Sequence, residues 1–222
     1  MAIALVLAGS VPARSTDADR GWSQWNNNDY PANTLAIVEC GLCYAHNEYS
    51  DTRPYRYYRT SVLGTFFQPQ LDTAAARWNA VPSATWAPEF ARSSTLTSSA
   101  GGVWVTSAAL ASTRCGQFNY NVSEYTYPVT PHGNPNNTSR INGGDLLVST
   151  NKSYNASGTF TASNCEIRNV WLHELGHSLG LGHTKNNTQT MRVNNGPQYS
   201  PLSGDSHGVQ CIYNRINCTA GV

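Results

Sequence analysis

Residues 173–183 read His-Glu-Leu-Gly-His-Ser-Leu-Gly-Leu-Gly-His, and this stretch decides how the rest of the chain is interpreted. His173 and His177 are four residues apart, so a helix places both imidazoles on one face, within reach of one cation. In a continued helix His183 would lie about 15 Å along the axis from His173, too far for zinc–nitrogen bonds of about 2.0–2.1 Å. The chain must therefore fold back after the helix, and Gly180, which tolerates positive φ, stands at the hinge position.

The residue types in this stretch fit a catalytic zinc ion. Three histidines supply neutral nitrogen ligands and leave a fourth position for water, whereas structural zinc sites usually have four protein ligands and favour cysteine. Glu174 follows the first ligand, where its carboxylate can accept a proton from water instead of binding the metal. Ordinary surface histidines and a glutamate would reach this spacing by chance on the order of once in 100,000 chains. The sequence therefore predicts one zinc ion held by His173, His177 and His183, with Glu174 as general base.

The same stretch resembles the zinc-binding signature of the metzincin metallopeptidases, H-E-x-x-H-x-x-G-x-x-H. In that family a downstream methionine forms a tight turn beneath the metal, and the resemblance assigns this role to Met191. Among metzincins, residues 202–213 (LSGDSHGVQCIY) are similar to the end of the matrixin catalytic domain, and residues 71–80 to its first helix. The resemblance implies a zinc-dependent endopeptidase that cleaves proteins or peptides.

Three departures from the matrixin pattern limit what the resemblance implies. Ser206 stands where matrixins have a second aspartate, so the role of that carboxylate does not transfer. The pro-segment motif P-R-C-G-x-P-D is absent, and although Cys40 or Cys43 could replace its cysteine, an even set of six cysteines favours pairing. Val193 stands where astacin- and serralysin-like metzincins have a zinc-facing tyrosine, so we expect no fourth protein ligand.

The expected substrate contacts also come from the resemblance. We expect an extended peptide to pair with an exposed strand edge beside the cleft, within residues 117–127. Tyr199, in Pro197-Gln198-Tyr199, resembles the wall of a matrixin side-chain pocket, and its alternative interpretation is a plain surface aromatic. Calcium often accompanies such domains, but the sequence has no D-x-D-x-D loop, so a Ca²⁺ site has no motif to support it.

Composition describes a neutral, globular chain. The 222 residues carry a formal net charge of +1, with 12% charged and 40% hydrophobic residues. Lysine occurs only at positions 152 and 185, and the lack of a basic cluster argues against a nucleic-acid binder or a membrane-surface protein. No apolar run reaches the roughly 18 residues needed to span a bilayer. We therefore expect a monomer that binds neither nucleic acid nor membrane.

The beginning of the chain and its cysteines indicate secretion. Residues 1–13 (MAIALVLAGSVPA) form an apolar run that ends on small residues, as in a signal peptide, although a buried strand or helix is the alternative. Six cysteines fit an oxidised extracellular protein, with 15 pairings left open. We therefore expect a secreted protein with disulfide bonds.

The chain divides into a signal-peptide-like segment (1–13), a polar pro-segment or strap (14–52) and a catalytic domain (53–222). Within the domain, hydrophobic patterning predicts strands over 57–67, 102–107 and 145–149, helices over 71–80, 166–179 and 203–215, and a long loop with an edge strand over 116–142. Strands and helices interleave, which predicts an α+β fold. The metzincin resemblance implies a twisted mixed β-sheet, a long active-site helix and a C-terminal helix.

Two other functions stay open from the residues alone. One is a secreted zinc-containing binding or adhesion module without turnover, which would have no need for the carboxylate of Glu174. The other is a zinc hydrolase of a non-peptide amide or ester, which only the family resemblance disfavours.

Overall fold

A computed structural model of the chain describes residues 23–24, 55–81, 89–94, 102–124, 139–183, 188–192 and 196–213. Its elements in chain order are β1 (Ser23–Gln24), β2 (Tyr55–Arg59), α1 (Phe67–Asn79), β3 (Phe90–Arg92), β4 (Gly102–Ala108), β5 (Gly116–Glu124), β6 (Ser139–Ser149), β7 (Ser153–Asn155), β8 (Asn164–Glu166), α2 (Ile167–Ser178), β9 (Leu181–Gly182) and α3 (Ser203–Tyr213). The predicted α+β fold is confirmed.

A five-stranded sheet in the order β3-β2-β4-β6-β5 forms the framework of the described part. The first four strands run parallel, and β5 is antiparallel to β6 at the sheet edge. Side chains that alternate along the central strands, such as Val103, Val105, Leu146 and Val148, are buried. This alternation is what one covered sheet face requires.

Helices α1 and α2 share one core with the sheet. The apolar stripe predicted for α1, Leu71, Ala74, Ala75 and Trp78, is the set of residues that this helix buries. Helix α2 is buried almost all round, which suits a helix in the middle of a domain. None of the helices in the described ranges is both long and apolar enough to cross a bilayer.

The strand predicted over 57–67 is wrong beyond Arg59. Residues 60–66 form turns, because the Arg59 guanidinium donates to Gln68 Oε1 at 2.9 Å and to the Leu63 carbonyl, and so holds the chain as it reverses. Helix α1 then begins at Phe67, earlier than predicted, because Pro69 is tolerated in a first helical turn.

Pairing along the sheet edge explains the remaining differences from prediction. The edge strand expected within 116–142 is β5, and β6 extends well before the predicted 145–149 because it pairs with β5 along its whole length. Polar residues fill the first half of β6, so hydrophobic patterning gave no signal there. The short strands β3, β7 and β8 were likewise not predicted.

A disulfide joins Cys115, which directly precedes β5, to Cys165 in β8, just before α2. Its pairing was left open by the sequence. The other four cysteines lie outside the residues whose side chains the structure describes, as do the signal-peptide-like segment and Val193.

Removing this disulfide should destabilise the domain. The two cysteines are 50 residues apart, and closing a loop of this length restricts the unfolded chain enough to contribute about 2–4 kcal/mol. The Cys115→Ser/Cys165→Ser protein should therefore unfold at lower urea concentration than the wild type under oxidising conditions. Equal unfolding midpoints would contradict a stabilising role.

Candidate active site

Helix α2 and the turn after it bring the three histidines of the signature together. His173 and His177 lie one helical turn apart, and the helix ends at Ser178. Gly180 has a φ of +93°, a conformation that glycine adopts without steric penalty, and the chain folds back there into β9. His183 Nε2 then lies 3.1 Å from His173 Nε2 and 3.2 Å from His177 Nε2.

Backbone carbonyls fix the tautomers of two of these rings. His173 Nδ1 is 2.9 Å from the Thr190 carbonyl oxygen, and His177 Nδ1 is 2.8 Å from the Leu181 carbonyl oxygen. Because a carbonyl oxygen only accepts, each Nδ1 carries the proton and donates it. The Nε2 atoms of both rings therefore present lone pairs to the same point.

This donor set fits a zinc ion. Two ligands of a tetrahedral zinc ion lie about 3.3 Å apart when each is about 2.0–2.1 Å from the metal, close to the spacing of these nitrogens. Lone pairs that converge in this way repel each other, and a cation removes the repulsion. Within the described ranges, no other group of three His, Cys, Asp or Glu side chains could hold a metal ion.

The surroundings keep all three imidazoles neutral. Burial, with a smaller effect of the neighbouring His183, lowers the pKa of His173 to about 3. Burial also holds the pKa of His177 well below its ordinary value, and burial followed by the charge of Arg114 lowers the pKa of His183. Neutral imidazole is the form that binds a metal.

The side chain of Glu174, a residue of α2, is buried against the first residues of β5. A Cβ atom added to Gly116 would lie 3.0 Å from Glu174 Oε1, so the strand passes directly over this carboxyl group. Burial raises the pKa of Glu174 to about 8, although Arg114 and the backbone N–H of Phe118 act in the opposite direction. A carboxyl group with a strongly perturbed pKa beside a cluster of ligands is typical of catalytic sites.

Asp205 of α3 holds the turn that contains Met191. Its carboxylate accepts hydrogen bonds from the backbone N–H groups of Thr190 at 2.9 Å, Met191 at 3.1 Å and Leu202 at 2.9 Å. The Thr190 carbonyl in turn accepts from His173. A buried carboxylate thus orients the His173 imidazole through one peptide unit, and outer contacts of this kind are known to position metal ligands.

A comparison with known families covers most of the chain. A family model described as Matrixin matches residues 16–214. The chain belongs to the matrixin family. This confirms the predicted resemblance and makes the protein a member of a family of zinc metallopeptidases, whose substrates are proteins or peptides. No curated protein matches the chain significantly.

The side chain of Met191 lies against α2 in this matrixin. Met191 is fully buried, and a Cβ atom added to Gly176 would overlap its Sδ atom and lie 2.8 Å from Trp78 Cζ2. The Trp78 indole N–H donates to the Leu172 carbonyl at 2.8 Å, next to the first histidine. Glycine at position 176 therefore lets α1, α2 and the methionine turn approach each other closely.

Tyr199 packs on the first turn of α2. The Arg168 guanidinium lies 4.3 Å from the centre of its ring and forms a two-pronged ion pair with buried Glu166, the N-cap of α2. Burial raises the pKa of Glu166, but Arg168 and two backbone N–H groups outweigh it, so its net pKa is below the ordinary value. The segment that carries Tyr199 is thus fixed to the helix that carries the histidines.

Sequence reasoning singled out the histidines, Glu174, Gly180 and Met191, and the structure brings all of these residues to one place. It missed Gly116, Arg114 and the positioning role of Asp205. Nothing in the pattern around Arg114 and Gly116 indicates that they lie near Glu174, because that proximity depends on strand β5 crossing α2.

Acid should destabilise the metal-free protein. An unfolded histidine has a pKa of about 6.5, and the folded protein lowers the pKa of all three imidazoles, that of His173 to about 3. Below pH 6.5 the unfolded chain therefore binds protons that the folded imidazoles do not. The stability that the neutral rings contribute is complete above pH 6.5 and is lost as the pH falls. Glu174 acts oppositely, because its raised pKa makes the folded state bind a proton between about pH 4.5 and 8.

Urea unfolding in the presence of a chelator tests this balance. Between pH 6.5 and 4.5 the unfolded chain binds up to three additional protons on the histidines, whereas the folded chain binds one on Glu174. This net difference of two protons lowers the free energy of unfolding by at most about 2.7 kcal/mol per pH unit. Glu174→Gln removes the opposing contribution and should make the loss steeper. An unfolding free energy that is constant over this range would contradict neutral buried rings.

Gly176→Ala should destabilise the protein, although helix propensity alone would predict that alanine stabilises α2. Alanine is favoured over glycine inside a helix by about 1 kcal/mol, but here the added methyl group meets Met191 and Trp78, and such overpacking costs about 1–3 kcal/mol. Gly64→Ala is the matched control, since nothing lies within 4 Å of a Cβ atom there. Urea unfolding of both variants distinguishes packing from a general effect of the substitution.

Proposed function

We propose that this matrixin is a secreted endopeptidase that uses one zinc ion and Glu174 as general base. The observation that carries the proposal is the convergence of three imidazole nitrogens beside the buried carboxyl group of Glu174. His183 Nε2 lies 3.1 Å from His173 Nε2 and 3.2 Å from His177 Nε2. His173, His177 and His183 would hold the metal as neutral imidazoles. Within the described residues no fourth ligand of this kind lies near them, which leaves room for water and substrate.

Zinc supplies Lewis-acid chemistry, since a bound ion polarises the scissile carbonyl group and lowers the pKa of water towards 7. Glu174 performs the proton transfers. Its carboxylate accepts a proton from the attacking water and donates it to the nitrogen of the departing amine. Glu174 must be ionised before this step, and a cation held by the neighbouring neutral imidazoles would favour its ionised form despite burial.

Strand β5 is our candidate for the substrate-binding edge. It is the last strand of the five-stranded sheet and is paired to β6 on its inner side. Gly116 lies against Glu174, so a peptide added along the outer side would pass the general base. The expected range of 117–127 extends past Glu124 into residues outside the described part.

Tyr199 is proposed as part of a side-chain pocket. Its support is indirect: Arg168 and the hydrogen bond from Asn169 Nδ2 to the Gln198 carbonyl at 3.0 Å fix this segment against α2. A wall held in this way would be fixed relative to the helix that carries His173 and His177.

The organisation of the chain is also a proposal. We propose that residues 1–13 are a signal peptide, that 14–52 are a pro-segment or a strap and that 53–222 form the catalytic domain. Support for the strap comes from β1, in which Ser23 and Gln24 pair with Gly182 and Leu181, next to His183. The Cys115–Cys165 disulfide supports an oxidising compartment.

Glu174→Gln tests the general base. The variant should keep its zinc, because Glu174 is not a ligand, but cleave casein or a peptide several orders of magnitude more slowly, since an amide cannot accept the proton. Metal analysis and an activity assay are made on the same preparation. A variant that keeps wild-type activity would contradict the assignment, and a wild type that holds zinc but cleaves nothing would favour a binding module.

His183→Ala tests the folded-back ligand. Removing one of three nitrogens should abolish stoichiometric zinc as well as cleavage. His207→Ala, a histidine in α3 outside the cluster, is the control and should retain both. A full equivalent of zinc in His183→Ala would rule out the three-histidine site.

A further inference from the structure

Arg114 lies at the rim of the candidate active site, directly before β5. Its backbone N–H donates to the Ala111 carbonyl at 2.9 Å, which closes the turn after β4. The next residue, Cys115, is tied to Cys165, and the one after it, Gly116, packs on Glu174. The backbone that carries Arg114 is therefore fixed close to the general base, while its side chain is exposed.

The guanidinium of Arg114 is held by an amide and not by a carboxylate. Its Nη1 atom donates to Gln117 Oε1 at 2.7 Å, and the Gln117 amide donates to Asn119 Oδ1 further along the strand. Within the described part of the chain, the ion pairs involve other arginines, Arg92 and Arg168. Arg114 thus keeps its full positive charge and several free donors, oriented by a neighbour on the edge strand.

This charge is carried on backbone that adjoins the general base. Only the disulfide-bonded Cys115 separates Arg114 from Gly116, whose backbone packs on the Glu174 carboxyl group, one residue from His173. A positive charge near a cluster of metal ligands opposes the binding of a cation. No described carboxylate of the chain pairs with Arg114 to offset this unfavourable charge. An anionic group on a bound ligand would offset it.

We propose that Arg114 is a specificity-determining residue that binds a carboxylate of the peptide substrate. The carboxylate belongs either to an aspartate or glutamate side chain or to a free C-terminus within a few residues of the cleaved bond. This inference rests on the proposed peptidase function and adds a substrate class to it. Arginine suits the role, because its planar fork binds a carboxylate with two parallel hydrogen bonds.

Paired peptides test the proposal. A neutral peptide cleaved by the wild type is compared with versions carrying glutamate at successive positions after the cleaved bond, each with a free and with an amidated C-terminus. The wild type should favour at least one acidic version by about tenfold in kcat/KM, the effect of one charged hydrogen-bonded contact, and should lose the preference at high salt. The amidated series identifies which carboxylate is bound.

Variants then assign the preference to Arg114. Arg114→Gln should remove the preference for the acidic peptide, mainly by raising KM for that peptide. Arg114→Lys should retain part of the preference. Arg56→Gln removes another exposed arginine, on β2, and should leave the preference unchanged. As a measurement independent of turnover, calorimetry with zinc-loaded Glu174→Gln protein should show about tenfold weaker binding of the favoured acidic peptide once Arg114→Gln is added.

Each outcome is decisive. A wild type without preference for any acidic peptide overturns the proposal, as does an Arg114→Gln variant that loses kcat equally on neutral and acidic peptides. Failure to cleave any peptide would instead refute the proposed function. In that case the calorimetric comparison still tests carboxylate binding, because it needs no turnover.

Discussion

The convergence of three imidazole Nε2 atoms on one point is the constraint on which the rest of this structure depends. Those of His173 and His177 present lone pairs there, so the fold must hold these rings in place. Two backbone carbonyls, of Thr190 and Leu181, accept the opposite ring protons and fix the rings of His173 and His177. The ring of His183 lies near the other two only because the chain reverses direction at Gly180.

The support comes from distant parts of the sequence. Asp205 of α3 holds the peptide that accepts from His173, and Trp78 of α1 bonds to the carbonyl just before that histidine. Gly176 has no side chain, so Met191 can pack directly on the helix between the first two ligands. Ordered contacts of this kind reduce the reorganisation needed when a metal binds.

The site also balances charge. Burial favours neutral histidines and a protonated Glu174, while Arg114 at the rim favours the ionised carboxylate and opposes additional cations. The disulfide and strand β5 keep these opposing groups at fixed distances. The histidine cluster, Glu174 and Arg114 are therefore connected through strand β5, which packs across α2.

The sequence by itself determined the clustering of the three histidines, the hinge at Gly180 and the buried stripe of α1, because all three depend on spacing within one helix or one turn. It also predicted the family and the α+β fold. It missed the turn after Arg59, the first half of β6 and the position of Arg114 beside Glu174. Only the tertiary structure decided these, because side-chain bonds reverse the chain at Arg59, and strand pairing brings residues from separate segments together without leaving a hydrophobic pattern in either one.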